Sequence, residues 1–276
     1  MKPLFILPFD HRSGLTHELF DAAYPPNPAI GKKIVALKNI IFDGFLAAYP
    51  DLQKYGECGI LVDEEFGSKI LDRAKAMGIT HAVSTETSGG SSFGFIHGKG
   101  FGRALLKREP TYAKALMNYT VGEAETNQAK MKKIRELSDF CRDEGVPFMF
   151  EPLVHGGKSP LAMTTTMMND MHKRGIYPTL WKLEMQRTVK DWKKLDTIAK
   201  APMILLGHGE SKDVVDKWVE TAAKSGVVDG FAIGRTIFFE PIKKFHEKKI
   251  DKKKAVELIA KNYAHFVKLW VKNAKA

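Results

Sequence analysis

"YPTLWKLEMQR", residues 177–187, places Lys182 and Glu184 inside an otherwise apolar run that has the length and composition of a buried strand. An unpaired ammonium in an apolar core is strongly disfavoured, so a lysine here is paired, snorkels outward, or is deprotonated for chemistry. Alternation puts Lys182 and Glu184 on one strand face, with Trp181, Leu183 and Met185 on the other. The neighbouring segments decide what that face looks onto.

Seven further apolar runs read as strands: 4–10, 59–64, 80–86, 112–119, 147–154, 202–209 and 229–236. Helical spacing separates them over 29–48, 65–77, about 100–108, 124–144, 160–174, 188–199 and 212–225. Gly78, Gly145, Gly175 and Gly226 stand where helices should stop. Strands apolar on both faces and alternating with helices imply a parallel sheet covered by helices. Eight such units favour closure into a single-domain α/β fold, the (β/α)8 TIM barrel, over an open doubly wound sheet. An eighth, amphipathic helix is expected over 251–272, carrying Val256, Ile259, Ala260, Tyr263, Phe266, Val267 and Trp270 on one face.

Composition agrees with one domain. A chain of 276 residues that is 44% hydrophobic can bury one large core. No run approaches the roughly 20 apolar residues of a membrane span, and the opening MKPLFILPFDHR lacks the pattern of a secretory leader. Cys58 and Cys141 have no metal-ligand spacing, so a reduced, cytoplasmic protein is expected. The net charge of +11 is concentrated in residues 242–276, where eleven lysines face three acids. That segment has no arginine and reads as a solvated helix face, not a nucleic-acid surface. The remaining charge suits an anionic substrate.

Within this frame Asp10, Asp63, Glu86, Lys114, Glu151, Lys182 and Glu184 all fall in the predicted strands, mostly toward their C-terminal ends, where a barrel builds its active site. A lysine among charges in a barrel mouth suits Schiff-base chemistry, with Lys114 as the neighbouring cation and Glu151 as the proton carrier. The competing explanation is an internal ion network of Lys114, Glu151, Lys182 and Glu184 that only fills the barrel. The segments LLGHGES (205–211) and AIGRTIF (232–238) supply Gly207, Gly209 and Gly234 after strands seven and eight, the usual place for phosphate in such barrels. Arg235, at the end of strand eight, would provide bidentate charge there, and His208 follows the end of strand seven.

Taken in order, LPFDHRS, ILVDEEFG, YAKALMNY, FMFEPLV, WKLE, GHGE and GFAIGRTIF span nearly the whole chain. Together they resemble the 2-deoxy-5-keto-D-gluconate 6-phosphate aldolase-type domain, often fused behind 5-dehydro-2-deoxygluconokinase in inositol catabolism. That domain is similar to class I tagatose 1,6-bisphosphate and sulfosugar-phosphate aldolases. The resemblance implies Lys182 as the Schiff-base lysine, Glu151 as acid/base, Lys114 as its helper, and Asp10 and Arg12 as a first-strand active-site pair. It implies a phosphorylated ketose or keto sugar acid as substrate, no cofactor and no metal, and leaves a homo-oligomer open. In GHGE, His208 stands where that pattern is expected to carry arginine, and MNYTVGEAETN replaces its usual RYNP after strand four.

His11, His81, His97, His155 and His208 occur singly, without the HxH or HxxxH spacing of a zinc aldolase. Two other classes stay open: a non-catalytic phosphosugar-binding barrel, and a metal-assisted isomerase or epimerase using Asp63, Glu151 and histidines.

Overall fold

The computed structural model describes residues 2–88 and 93–274. Eight strands close into one barrel in chain order, every neighbouring pair parallel: β1 (Leu4–Pro8), β2 (Glu57–Val62), β3 (Thr80–Ser84), β4 (Tyr112–Thr120), β5 (Phe148–His155), β6 (Leu180–Leu183), β7 (Met203–Leu206) and β8 (Gly230–Ala232). The fold is the expected (β/α)8 barrel.

The period of two sorts each strand. Leu4, Ile6, Leu61, Ala82, Met149, Leu180, Ile204 and Ala232 pack together as a dry plug inside the barrel. Their odd-register neighbours, among them Phe5, Ile60, Val83, Phe150, Trp181, Leu205 and Phe231, join the larger core beneath the helices. One residue pair further along the inward face, the plug gives way to Lys114, Glu151 and Lys182. The charges therefore lie on top of a packed core and are not dispersed through it.

The helical layer follows the expected spacing closely: α2 (Pro28–Leu52), α3 (Glu64–Ala76), α4 (Phe101–Arg108), α5 (Ala124–Asp143), α6 (Pro160–Lys173), α7 (Val189–Ala199) and α8 (Lys212–Ser225). Their starts are encoded locally. Asn27, Asp63, Ser159 and Thr188 each accept a first-turn N–H, and Thr188 with Asp191 forms a full capping box. Two helices lie outside the expected set: α1 (Ser13–Phe20), following β1, and α9 (Arg235–His246), following β8. The terminal α10 (Lys252–Ala274) buries Ile259, Tyr263, Phe266, Val267 and Trp270, and its Tyr263 hydroxyl donates to the Phe5 carbonyl at 2.6 Å. Its lysines lie on the opposite, solvated face.

All the strands except β4 and β5 are shorter than the apolar runs at their C-terminal ends. Asp10, Asp63, Glu86, Glu184 and His208 sit just beyond β1, β2, β3, β6 and β7, not within them. The ladder ends once the chain bends outward toward its helix, so these residues belong to the segments that link strand to helix. No helix among the described residues is long and apolar enough to cross a membrane.

Candidate active site

Lys182, on β6, is buried with its ammonium 2.7 Å from Glu151 Oε1. The other oxygen of Glu151, on β5, lies 3.0 Å from the ammonium of Lys114 on β4. Lys114 also reaches Asp10 Oδ2 at 2.9 Å and Glu86 Oε1 at 2.8 Å. One ammonium is thus surrounded by three carboxylates, and one of those carboxylates bridges to a second ammonium. Parallel register sets this up, because Lys114 lies beside Met149 and Leu116 beside Glu151. The inward residues of adjacent strands are staggered in height and interdigitate.

The electrostatics follow from the contacts. Burial opposes charge on Lys114, but Asp10, Glu151 and Glu86 outweigh it and hold its pKa well above the ordinary lysine value. Burial likewise opposes charge on Glu151 and Asp10, yet the lysines keep both below their ordinary values. For Glu86 burial prevails and its pKa rises. A permanently charged Lys114 beside an ionised Glu151 results.

Two adjoining cavities open over this cluster. A larger one of about 370 Å³ is walled by Asp10, Arg12, Ser13, Glu86, Lys114 and Asn118, among others. A smaller one of about 190 Å³ is walled by Gly207, His208, Gly209, Gly234 and Arg235. His11, Leu116, Glu151 and Lys182 line both, so Lys182 stands at the junction.

The smaller lobe is built from backbone. A Cβ on Gly234 would come within 2.3 Å of the Pro8 carbonyl, and one on Gly209, whose φ is +79°, within 2.7 Å of the Arg235 guanidinium. Glycine is thus required at both places, and Gly234 caps α9. The guanidinium of Arg235 donates to Glu18 Oε1 and to the His208 carbonyl, both at 3.0 Å. His208 itself is exposed, with Nδ1 3.3 Å from Glu184, whose hydrogen bond raises the imidazole pKa.

Of the residues expected at the site, Lys182, Glu151, Lys114, Asp10, Arg12 and Glu86 come together around the larger lobe, and Gly207, His208, Gly209, Gly234 and Arg235 around the smaller. Glu184 turns aside: it accepts the Val154 N–H at 2.8 Å, contacts His208 and braces the mouth between β5 and β7. Asp63 lines neither lobe. It is fully buried, accepts the Phe66 N–H at 2.8 Å as the cap of α3, and pairs with the equally buried Lys38, which also donates to the Phe9 carbonyl at 2.8 Å. The buried face of α2 (Ile34, Leu37, Lys38, Ile41) carried the signal for that lysine in its helical spacing.

Ser13, Gly14, Ser88, Asn118 and Lys130 were not anticipated in the site, since nothing local marks polar loop residues as facing a cavity. His11 was read as an isolated histidine. It lines both lobes, and its pKa is lowered to about 4, by burial first and then by the Arg235, Lys182 and Lys38 charges against the opposing pull of Asp10. Among the described residues no three of His, Cys, Asp or Glu are grouped as metal ligands.

A profile of the family described as "Uncharacterized protein conserved in bacteria (DUF2090)" matches residues 1–274. No curated protein sequence matches the chain. Among solved structures, fructose-bisphosphate aldolase from Plasmodium falciparum is similar at 13% identity and a TM-score of 0.71, over 98% of this chain and 91% of that one. Cgl0159 from Corynebacterium glutamicum is similar at 18% identity and a TM-score of 0.64, over 96% and 86%. An archaeal fructose-1,6-bisphosphate aldolase, whose catalytic lysine is covalently bound to the carbinolamine intermediate, is similar at 14% identity and a TM-score of 0.58, over 96% and 94%. At these identities the likeness is one of fold.

Proposed function

We propose that this chain, which belongs to the DUF2090 family, is a Schiff-base (class I) aldolase that cleaves a phosphorylated keto sugar, with 2-deoxy-5-keto-D-gluconate 6-phosphate as the first substrate to try. The observation that carries this reading is the placement of Lys182: it sits where two cavities meet, one of them glycine-lined with Arg235, and is in direct contact with Glu151. The archaeal aldolase with a covalently bound catalytic lysine shares the fold, which supports the reading without assigning the residue.

The chemistry needs an amine, a proton carrier and an anchored carbonyl. Glu151 takes a proton from Lys182, and the free amine adds to the ketone carbon; the carbonyl oxygen is protonated and leaves as water, forming an iminium. Glu151 then removes the proton of the hydroxyl on the carbon β to the iminium. The C–C bond between the α and β carbons breaks, its electron pair moves into the iminium as an enamine, and the aldehyde departs. Protonation at carbon and hydrolysis by water release dihydroxyacetone phosphate and restore Lys182. For the sugar acid named above, the aldehyde is malonate semialdehyde. Lys114 stays protonated throughout and holds Asp10, Glu86 and Glu151 in register.

Phosphate in the smaller lobe orients the reacting carbons through remote binding energy. The experiment is borohydride reduction in the presence of dihydroxyacetone phosphate, followed by peptide mapping. A reduced adduct on Lys182, absent from Lys182→Arg, is expected; its absence from the wild type would overturn the reading. A tagatose-bisphosphate- or sulfosugar-phosphate-type aldolase would give the same adduct and differ in the aldehyde released. A second reading, a non-catalytic phosphosugar-binding barrel, is favoured by the closed ion network around Lys114 and predicts ligand binding with no adduct.

A further inference from the structure

Four residues wall both lobes of the cavity: Leu116, Lys182, Glu151 and His11. Leu116 is apolar, and Glu151 is in contact with the ammonium groups of both Lys182 and Lys114. His11 is the third ionisable residue at this junction and the only one without a part in the proton transfers of Lys182 and Glu151.

The surroundings of His11 fix where its ring lies and where its proton sits. The residue follows Asp10 beyond β1, and its imidazole packs edge-on against the buried Phe238, with ring centroids 5.8 Å apart and planes at 66°. A Cβ on Gly234 would come within 3.4 Å of Cε1, the carbon between the two ring nitrogens, so that edge of the ring lies along the glycine-lined lobe. The side chain is only partly buried. Nδ1 is sealed from solvent and has no hydrogen-bond partner; Nε2 also lacks a partner among the described residues but is not sealed, so Nε2 is the nitrogen a ligand can reach. A buried N–H without an acceptor is rarer than a buried acceptor without a donor, which puts the proton on Nε2. With its pKa lowered to about 4, the ring is neutral at pH 7. The group facing the junction is therefore an uncharged N–H donor.

Addition of the Lys182 amine to a ketone calls for such a donor. As the C–N bond forms, the π pair of the carbonyl moves onto oxygen, and the charge develops beside Lys182, where the lobes meet. The cations nearby are already engaged. Lys114 is held by Asp10, Glu86 and Glu151 at 2.9, 2.8 and 3.0 Å. Arg235 is held by Glu18 and the His208 carbonyl, both at 3.0 Å. A fixed neutral donor stabilises an oxyanion without giving up a proton that must later be recovered.

We propose that His11 is a catalytic residue whose neutral Nε2–H binds the ketone oxygen of the substrate and stabilises the oxyanion formed as Lys182 attacks. The proton count closes around Glu151. It takes one proton from the Lys182 ammonium before attack and delivers it to the oxyanion, then takes a second from the attacking nitrogen and delivers it to the new hydroxyl, which leaves as water. One proton stays on the iminium nitrogen, Glu151 is a carboxylate again, and His11 has neither gained nor lost a proton.

This role rests on the aldolase reading of Lys182, and the tests separate the two. Enzyme mixed with dihydroxyacetone phosphate is quenched with borohydride at timed intervals, and the reduced adduct on Lys182 is followed by peptide mass. In His11→Leu the adduct should form roughly 100- to 1,000-fold more slowly, the cost of one lost oxyanion donor. His11→Gln keeps an N–H and should recover at least about tenfold of that loss. Titration calorimetry with inorganic phosphate should give dissociation constants within about twofold of wild type for both variants, which also reports a folded site. An unchanged rate in His11→Leu, equal losses in the two variants, or phosphate binding weakened about tenfold would overturn the role, the last by placing His11 on the phosphate.

The tautomer is read without turnover. The 15N shifts of His11 at pH 7 should show a protonated Nε2 and a bare Nδ1, and a ring protonated at Nδ1 or at both nitrogens would overturn the role even where the adduct forms. A wild type that forms no adduct removes the aldolase reading and this role with it. An adduct in the wild type together with any of the contrary results above removes the role of His11 alone.

Discussion

Arg235 and Glu18 lie 217 residues apart in sequence, and the guanidinium Nη1 meets Glu18 Oε1 at 3.0 Å across the mouth of the barrel. The cation expected to bind phosphate is therefore tied to an acid on α1, the same helix whose start forms the wall of the other lobe. Both partners are about one-third exposed, so the pair contributes little to stability, on the order of 0.2–1 kcal/mol. Phosphate bound at Arg235, as proposed, would compete with that carboxylate. Glu18→Gln should consequently bind inorganic phosphate more tightly, by about 1.5- to 5-fold, with an almost unchanged Tm. The inhibition constant for phosphate measures it, and weaker or equal inhibition would place Arg235 outside the phosphate site.

Arg235 itself is not replaceable by lysine. A guanidinium can hold two phosphate oxygens, and an ammonium offers a single compact charge. Arg235→Lys and Arg235→Ala should lose about 1.5–3 kcal/mol of charge-assisted contact, roughly 10- to 150-fold in kcat/KM for a phosphorylated ketose. Their melting temperatures should stay near wild type, because the residue is at the functional face of the barrel. Kinetics that do not change, or a loss explained entirely by unfolding, would make Arg235 a structural ion-pair residue.

Lys114 gives a pH-dependent prediction. Its folded pKa is raised, so its contribution is complete below about 10.5 and is lost as pH climbs through the higher folded value. Asp10 and Glu151 have lowered pKa values; their contribution is complete above 3.8 and 4.5 and is lost as pH falls from there. Glu86 runs the other way, since its raised pKa costs stability as pH rises above 4.5. Lys114→Met leaves three carboxylates around an apolar side chain and should destabilise the fold by about 3–5 kcal/mol at pH 7. The loss should shrink at pH 4, where the carboxylates can take up protons. Denaturant titrations at both pH values read this directly, and a loss that is constant with pH would contradict it.

His11 adds a second acid-sensitive step. Its pKa falls from 6.5 to about 4 in the folded chain, so the unfolded chain binds the extra proton over that interval and stability declines as pH drops from 6.5 toward 4. His11→Gln should flatten this part of the stability profile and leave the decline below it in place. Melting curves at half-unit steps between pH 7 and 4 distinguish the two variants; parallel profiles would mean that His11 is as readily protonated folded as unfolded.

Asp63 separates structure from catalysis. Because it caps α3 and pairs with buried Lys38, Asp63→Ala should destabilise by about 3–5 kcal/mol, the cost of leaving a buried charge unpaired. KM for a phosphorylated ketose should be unchanged in the fraction that remains folded. A specific rise in KM would return Asp63 to the binding site.

The architecture, and the placement of Lys182 and Glu151 within it, were legible in the chain itself. Local rules cover them: apolar runs of strand length, helical spacing between them, capping residues such as Thr188 and Asp191, and a lysine and a glutamate out of place in the apolar runs LWKLEM and PFMFEPLV. Each of these signals depends on residues a few positions apart, which a sequence displays. Tertiary structure alone decided how far each strand ran before bending outward, and so moved Asp63 from the mouth into a capped, buried pair with Lys38. It alone brought Glu18 to Arg235, Lys114 to Asp10 over 104 residues, and Arg12 to the wall of a cavity. Barrel closure sets these contacts through the stagger of neighbouring strands and the paths of eight loops, and no local spacing encodes which loop residue will face another across the mouth.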